Sequence, residues 1–396
     1  MFSLIKRLTT ITFSVVLIAL QWTSAIKAQP TLQIVSIAWS PDGNKLAAVG
    51  QNGLFRVWDT AKNQVVMDAR NFTGTIQSVT WKPDSSRIAI ASSIDGTIRV
   101  WNAITGQPIA VLQSETDPQG RAIIAWSPDG KKIASVLLTE SAPVKVWSTE
   151  QDQYHVVSTS SNATFYALAW NPDSTKLVVG GIVGTYIFDD VDKAHLTSRL
   201  IGPFATSLAW SPDGKKLALS AVDGQVHILA ADTGQELATF RGKQGATEAL
   251  VWSPDGNRLA ASMGNTIQVW NANTGAALES YTRVKSTDVA GTSLGWSPQG
   301  GRLAYLGSIA SNAANRTQTI IAGAMQIVVP SPDVNELQAI TKRCVTQPSM
   351  QQGLLSRVST LDLNEFVSQI KQIPQAQMPA ACAADLVAVA EALQKP

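Results

Sequence analysis

The sequence predicts an all-β fold, a seven-bladed β-propeller of four-stranded antiparallel blades, with a small C-terminal α-helical extension. Three observations predict it. A short turn phrase recurs seven times, segments with β-type alternation follow most copies, and both patterns stop near residue 330. The copies are 40–45 residues apart, and self-similarity at such a period is typical of propellers and solenoids.

The phrase reads WSPDG in its commonest form and predicts a tight turn. Pro presets φ, Asp can bond its own backbone, and Gly accepts a positive φ. The seven copies begin at Trp39, Trp81, Trp126, Trp170, Trp210, Trp252 and Trp296. We expect these tryptophans to be structural residues that fill the space between neighbouring sheets.

The segments after each turn predict strands. An apolar stretch such as KLAAVG (45–50) comes first, and an alternating segment such as TIRVWN (97–102) follows. Alternation of period two with Val, Ile and Trp is typical of half-buried strands. A four-stranded meander of about 42 residues cannot bury both faces alone, so the copies are expected to pack in a ring.

These features resemble the WD-repeat propeller family over about residues 31–330. The resemblance rests on the period, the SPDG turns and the strand-ending pair Trp58-Asp59. It implies a ring closed by a strand from the N-terminus, for which residues 31–35 are suitably placed; a strand at 325–329 is the alternative. The family's Gly-His pair before the first strand is absent. Its buried hydrogen-bond network therefore cannot form in the usual shape, and blade cohesion should rest more on apolar packing.

Residues 1–28 predict a secretory signal peptide. Lys6 and Arg7 precede an apolar run at 11–20, and small residues follow up to Ala28. The run is too short to span a bilayer comfortably, although an uncleaved anchor is the alternative. We expect a secreted, periplasmic or cell-surface protein without stable membrane insertion if the signal is cleaved. Without these residues the chain carries 28 basic and 29 acidic side chains, a balance that argues against nucleic-acid binding.

The region 333–396 has helical periodicity and predicts about three short helices, with Asp333 and Asp362 as caps. Both cysteines of the chain, Cys344 and Cys382, lie here. In an exported protein such a pair predicts a disulfide, with two free thiols as the alternative. Closing a loop of about 39 residues would stabilise the fold by roughly 4 kcal/mol in the chain-entropy model.

The sequence carries no motif for catalysis, cofactor binding or metal binding. HExxH, GxSxG and P-loop patterns are absent, and two cysteines without nearby His cannot complete a zinc site. Six turns carry a carboxylate: Asp42, Asp84, Asp129, Asp173, Asp213 and Asp255. Such a ring could bind cations or act in acid–base chemistry, but we expect each Asp to cap its own turn.

Binding is expected on one face of the ring. The resemblance implies that the loops entering each blade and those joining its second and third strands lie together there; we call it the loop face. Exposed Arg and aromatic side chains are the usual energetic centres of protein interfaces. The candidate contact residues are Arg70, Phe72, Arg121, Phe204, Arg241 and Lys243.

The sequence therefore favours a non-catalytic, exported scaffold that binds a protein or peptide partner. One alternative is a periplasmic accessory propeller similar to those of the Tol system. Their repeats also carry WSPDG, but they have fewer blades and lack the Val-Trp-Asp strand. The other alternative is an exported propeller lyase or hydrolase, which would need carboxylates or His clustered near the central channel.

Overall fold

A computed structural model describes residues 33–394, apart from internal gaps. The gaps are 70–71, 73, 93, 114–121, 140–142, 151–153, 159–163, 190, 192–196, 222, 243–246, 285–292, 310–318, 322–324, 329–333, 360–361 and 375–376. The predicted signal peptide and the predicted cap Asp333 lie outside the described residues.

Seven antiparallel sheets, the blades, follow one another along the chain, which confirms the predicted propeller. Blades one to four contain β1 (Ile34–Trp39), β2 (Lys45–Gly50), β3 (Phe55–Asp59), β4 (Gln64–Ala69); β5 (Ser78–Trp81), β6 (Arg87–Ser92), β7 (Thr97–Asn102), β8 (Pro108–Gln113); β9 (Ala122–Trp126), β10 (Lys132–Leu137), β11 (Val144–Ser148), β12 (Tyr154–Ser158); and β13 (Phe165–Trp170), β14 (Lys176–Gly181), β15 (Gly184–Asp189), β16 (Thr197–Gly202).

The remaining blades include two irregular ones. Blades five to seven contain β17 (Ser207–Trp210), β18 (Lys216–Ser220), β19 (Gln225–Ala230), β20 (Glu236–Arg241); β21 (Thr247–Trp252), β22 (Arg258–Met263), β23 (Thr266–Asn271), β24 (Ala277–Val284), with β27 (Ser308–Ile309) added at the edge; and β25 (Leu294–Trp296), β26 (Leu303–Leu306), β28 (Thr319–Ile321), β29 (Met325–Val328). In blade seven the spatial order is β25-β26-β29-β28.

Burial follows strand position within each blade. The first strands of successive blades contact one another, and β1 also contacts β25, which closes the ring. Second strands such as β2 are almost completely buried, because sheets pack against both of their faces. The fourth strands are the most exposed, as in β4. The apolar runs that the sequence places after each turn therefore form the packed middle of the ring.

The predicted closure by an N-terminal strand is wrong for the residues described. Ile34 and Val35 belong to β1, where Ile34 pairs with Gly50 of the same blade. Blade seven is completed by β28 and β29, which pair with each other, while β29 pairs with β26. The alternative strand at 325–329 is the observed third strand. Blades one to five are thus each built from contiguous chain, and β27 from within the blade-seven segment pairs with β24 of blade six. Among the described residues, no strand is shared between blade seven and blade one.

Four helices follow the ring: α1 (Val334–Cys344), α2 (Pro348–Ser359), α3 (Leu363–Gln372) and α4 (Ala380–Leu393). The predicted cap Asp362 accepts a hydrogen bond from the backbone N–H of Glu365 at 3.3 Å. Sequence reasoning missed α2, whose first residue is Pro348 and whose interior holds Gly353. Pro is tolerated in a first helical turn, but Gly weakens the helical signal.

The helices share one apolar core, which includes Leu337, Leu354, Phe366 and Leu386. The two cysteines are joined by a disulfide that links α1 to α4. We call α1–α4 the helical subdomain. Within the described residues, no helix combines the length and apolar character needed to cross a membrane.

Candidate interaction faces

The ring has two faces, set by strand direction. The loop face carries the loops that enter each blade and those between second and third strands. The opposite face, here the turn face, carries the turn phrases between first and second strands. In an antiparallel meander these connections alternate between the two ends of the strands, so the sheet order alone fixes this assignment.

Six of the seven turn phrases contain a carboxylate, and that carboxylate is bound within its own turn. In the sixth turn, Asp255 accepts hydrogen bonds from the Ser253 hydroxyl at 2.6 Å and from the backbone N–H of Asn257 at 3.0 Å. Ser253 also accepts the backbone N–H of Arg258 at 2.9 Å. The same pattern recurs at Asp42, Asp129 and Asp213. The carboxylate therefore satisfies polar groups that the turn would otherwise leave unpaired.

These hydrogen bonds keep the carboxylates ionised. At Asp42 and Asp255 burial opposes ionisation, but the hydrogen bonds from the turn outweigh it and hold the pKa below its usual value. At Asp84 burial is likewise outweighed, chiefly by hydrogen bonds from Lys82 and Ser86, which lower its pKa to about 2. Such groups are poor proton donors near neutral pH. Among the residues described, no group of His, Cys, Asp or Glu is arranged to hold a metal ion.

The phrase tryptophans connect neighbouring blades. In five of the seven described blades, Trp Nε1–H donates to the carbonyl of the residue just before the phrase Trp of the preceding blade. The pairs are Trp39 to Gly295, Trp81 to Ala38, Trp170 to Ala125, Trp210 to Ala169 and Trp252 to Ala209, at 3.0–3.2 Å. The tryptophans thus add a directional contact to the apolar packing between blades.

Two tryptophans depart from this arrangement. Trp126 donates to Gly130 in its own turn at 3.0 Å, and Nε1 of Trp296 is buried without an acceptor among the described residues. Trp296 packs instead under the guanidinium of Arg258, 4.5 Å from the ring centroid. Cation–π contact of this kind compensates in part for the missing hydrogen bond.

Three candidate contact residues on the loop face, Arg70, Arg121 and Lys243, lie outside the described residues. The other three, Arg241, Phe204 and Phe72, differ in how far their side chains are exposed. Arg241 is exposed at the end of β20. Phe204 is half-buried, with its ring 5.4 Å from that of Tyr166.

The expectation of an exposed side chain at Phe72 is wrong. Its side chain is 8% exposed and packs against Phe55 and Trp101, with the Arg99 guanidinium 4.7 Å from its ring centroid. An aromatic residue in an entering loop can turn inward where two blades meet, because the space between their sheets needs large apolar side chains. Phe72 is therefore a packing residue of blades one and two.

Sequence reasoning missed exposed apolar residues in the loops between second and third strands. Ile182 and Val183 join β14 to β15 and are 52% and 40% exposed. Directly after this loop, the hydroxyl of Thr185 in β15 donates to the carbonyl of Pro203, next to Phe204, at 2.7 Å. The signal in the sequence was an Ile-Val pair between two glycines, where a short turn usually has polar residues. We call Tyr166, Ile182, Val183 and Phe204 the blade-four patch.

The helical subdomain contacts the opposite face. Asp385 of α4 bonds the seventh turn at Ser297 and Gly301, and Arg343 of α1 donates to the carbonyl of Gln299 in that turn. The chain thus covers part of its own turn face. The blade-four patch, in contrast, is on the loop face.

Comparisons with known proteins agree with this architecture. The family model described as "WD domain, G-beta repeat" matches residues 234–271. The model of the "Anaphase-promoting complex subunit 4 WD40 domain" matches 201–248, and that of "Eukaryotic translation initiation factor eIF2A" matches 12–178. The ring of seven blades and these matches together place the protein in the class of repeat propellers. Together with the fold, these matches support a WD-repeat β-propeller family for this chain.

Individual relatives match only part of the chain. WD repeat and HMG-box DNA-binding protein 1 of Mus musculus is 28% identical over 41% of this chain and 15% of its own length. Coronin-7 of Mus musculus is 32% identical over 28% of this chain and 13% of its own. The p21-activated protein kinase-interacting protein 1-like of Danio rerio is 35% identical over 23% of this chain and 24% of its own. The chain therefore spans a small share of the relatives it matches.

Proposed function

We propose that this protein is a non-catalytic, exported scaffold that binds a protein or peptide on its loop face. The observation that carries the proposal is the blade-four patch, an apolar surface on the face opposite the helical subdomain. The matches to this family support it, since one relative is named for interaction with a kinase. Fold alone does not define function, so the proposal depends on the exposed side chains.

The blade-four patch has the composition of an interface centre. It combines two aromatic rings with two exposed aliphatic side chains, and aromatic anchors contribute most of the binding energy in many interfaces. Exposed Arg241 lies on the same face, on the outermost strand of blade five. These residues favour a partner segment with apolar side chains and an acceptor for a guanidinium group.

Export is supported by the N-terminal segment of the sequence. A short basic region, an apolar run and small residues precede the ring. A disulfide between the only two cysteines also suits an oxidising compartment. Fractionation of cells that produce the full chain, with N-terminal sequencing of the product, tests this point. Recovery in the cytosol with residues 1–28 intact would contradict export.

Binding is tested by affinity capture with the chain lacking residues 1–28 as bait, from the extracytoplasmic fraction. Ile182→Ser alters the blade-four patch, and Ile104→Ser is its matched control. Ile104 is 82% exposed and lies on the turn face, in the turn after β7. We expect one protein to be recovered specifically by the wild type and by Ile104→Ser. Ile182→Ser should reduce its affinity about tenfold or more, as loss of an interface anchor does.

Two outcomes would overturn the proposal. Equal weakening by both substitutions would show that the patch has no special role in binding. Failure to recover any partner, together with turnover of a glycan or ester by the purified chain, would favour the exported enzyme instead.

A further inference from the structure

The seventh turn phrase lacks the carboxylate that the other six contain. Gln299 occupies the position of Asp in the sequence WSPQG. Its Oε1 is buried without a partner among the described residues, while its amide nitrogen lies 3.4 Å from the carbonyl of Asp42. The glutamine therefore does not bind its own turn as an Asp would.

Asp385 of α4 supplies the missing carboxylate from elsewhere in the chain. Its Oδ2 accepts the Ser297 hydroxyl at 2.6 Å and the backbone N–H of Gly301 at 3.1 Å. The corresponding donors in the sixth turn, Ser253 and Asn257, bind Asp255 at 2.6 and 3.0 Å. Both donor positions of the repeated turn are thus occupied by a helix residue instead of a turn residue.

The same carboxylate reaches the closure between blades seven and one, which we call the seam. Asp385 is fully buried and pairs with Nε of Arg302. The Arg302 guanidinium lies 4.9 Å from the ring centroid of Trp39 and 3.5 Å from the carbonyl of Gly43, both in blade one. Trp39 in turn donates to Gly295 of blade seven at 3.0 Å. Asp385 therefore orients an arginine that contacts both sides of the seam.

Close packing of the helices requires small residues on each side of the seam. A Cβ added at Gly301 would lie 3.1 Å from Cδ1 of Ile340 in α1 and 3.2 Å from Cβ of Asp385. A Cβ added at Gly43 of blade one would lie 3.0 Å from Cβ of Ala381 in α4. The disulfide partner Cys382 lies one helical turn before Asp385 and ties α4 to α1.

We propose that the helical subdomain is a clasp that closes the ring at the seam, where the described strands include none shared between blades seven and one. Asp385 is its central residue, because it completes the seventh turn and fixes Arg302 against blade one. A buried ion pair with hydrogen bonds to every oxygen is costly to break, since removing one partner leaves an uncompensated charge. Release of α4 therefore weakens the contact between the last blade and the first.

Hydrogen exchange on the full chain tests the clasp. Asp385→Ala should raise the exchange rates of seam amides, such as those of Ile37 and Arg302, and of α4 by about tenfold or more. Amides at the distant junction of β13 and β17 should not change. Glu391→Gln is the matched control, because Glu391 is on the same helix and pairs only at the surface, with Lys371 at 3.6 Å. It should leave the seam unaffected.

A double variant separates the clasp from simple repair of the turn. Gln299→Asp combined with Asp385→Ala returns a carboxylate to the seventh turn without restoring the helix contact. We expect it to slow exchange at Gly301 while the seam and α4 remain fast. Full recovery at the seam would show that Asp385 only completes the turn and would overturn the clasp.

A milder variant keeps the test decisive if Asp385→Ala fails to fold. Arg343→Ala removes the bond from α1 to the Gln299 carbonyl and leaves the buried pair in place. It should speed exchange at the seam by a smaller factor than at the ends of α1. Unchanged seam exchange in Arg343→Ala, with a released α1, would overturn the proposal.

Discussion

At the scale of single residues, each turn carboxylate acts within its own turn. Asp is suited to this because its short side chain reaches the backbone N–H two residues ahead. Asp129 shows the pattern, with the Ser127 hydroxyl at 2.5 Å and the backbone N–H of Lys131 at 3.0 Å. Six ionised carboxylates on the turn face are therefore bound locally and are a structural feature of the fold.

The lowered pKa values predict a loss of stability in acid. A carboxylate whose folded pKa lies below the unfolded value stabilises the fold above the unfolded pKa and loses that effect as pH falls through the folded pKa. For Asp84 the ordinary value is 3.8 and the folded value about 2. The free energy of unfolding should decline between about pH 4 and pH 2, and less steeply in Asp84→Asn.

Denaturant unfolding at several pH values measures this slope, and carboxyl NMR titration measures the pKa of Asp84 itself. Identical slopes for the wild type and Asp84→Asn, or an ordinary pKa at Asp84, would contradict the prediction.

Two turns carry Ser at the position where a Gly is usual, and both serines adopt positive φ. Ser174 has φ of 64° and is buried. Its hydroxyl oxygen accepts the backbone N–H of Asp129 in the neighbouring blade at 2.9 Å. Ser85 does the same for Asp42 at 3.0 Å. A bond between blades thus offsets the unfavourable backbone conformation.

Substitutions at Ser174 separate the two effects. Ser174→Ala loses the acceptor and keeps a side chain at positive φ, so it should destabilise by about 1–2 kcal/mol. Ser174→Gly loses the acceptor but relieves the backbone, and should cost about 1 kcal/mol less than alanine. Urea unfolding of both variants gives the comparison. An alanine variant as stable as the glycine variant would show that the backbone is not strained there.

At the scale of elements, cohesion between blades comes from first strands and their terminal tryptophans. Two buried indoles of third strands bear on the expected shift towards apolar packing, and only the first agrees with it. Nε1 of Trp101 has no acceptor among the described residues, whereas Trp147 donates to the Ser135 hydroxyl at 2.7 Å. The usual family network is therefore present in fragments, and the phrase tryptophans provide the regular links.

A matched pair of phrase tryptophans tests the value of these links. Trp252→Phe removes the bond to the Ala209 carbonyl and leaves that oxygen short of a donor, which should cost about 1–3 kcal/mol beyond the lost packing. Trp296→Phe removes an indole N–H that has no acceptor among the described residues and should cost less. Thermal unfolding of the two variants checks the order. A larger loss for Trp296→Phe would contradict it.

At the scale of the whole molecule, the ring consists of seven complete blades. Blade one contains β1 as its own first strand, and blade seven contains both of its outer strands. Each blade contacts its two neighbours, as in repeat proteins whose stability is close to a sum over units and interfaces. The ring needs no residue before Gln33 to complete a sheet.

A chain that begins at Gln33 should therefore fold with the midpoint of thermal unfolding of the full chain. A chain that begins at Ser40 lacks β1 and should lose the cooperative transition, because the seam then has no first strand on one side. Circular dichroism during heating distinguishes these outcomes. Destabilisation of the Gln33 chain by several degrees would show that residues 1–32 contribute to the fold.

Much of this architecture could be predicted from local pattern. Seven turn phrases define seven blades, because Pro, Asp and Gly fix turn geometry without reference to distant residues. The helices with clear periodicity were predictable, whereas α2 was not, since Pro348 and Gly353 interrupt its pattern.

Long-range choices were less predictable. The segment 31–35 is short and mostly apolar. Its sequence does not specify the strand with which it pairs. Asp385 is one of two acidic residues in an Ala-rich helix, 88 residues from the Ser297 hydroxyl it binds. The missing Asp at position 299 was the available signal. On the loop face, Phe72 is buried although exposure was expected, and the exposed Ile182 was missed, because burial there depends on how neighbouring loops fold together.

The contiguous chain of blades one to five also sets an order for folding during synthesis. In a propeller closed by its N-terminal strand, that strand is part of the last blade. The strand has no partner until the rest of the last blade emerges from the ribosome. Here blade one has all four strands once residue 69 has been made, and blades two to five can add to it one at a time. The edge strand β27 of blade six comes with the segment of blade seven, and the contact between the last blade and the first, with the helices that follow, must wait for the end of translation.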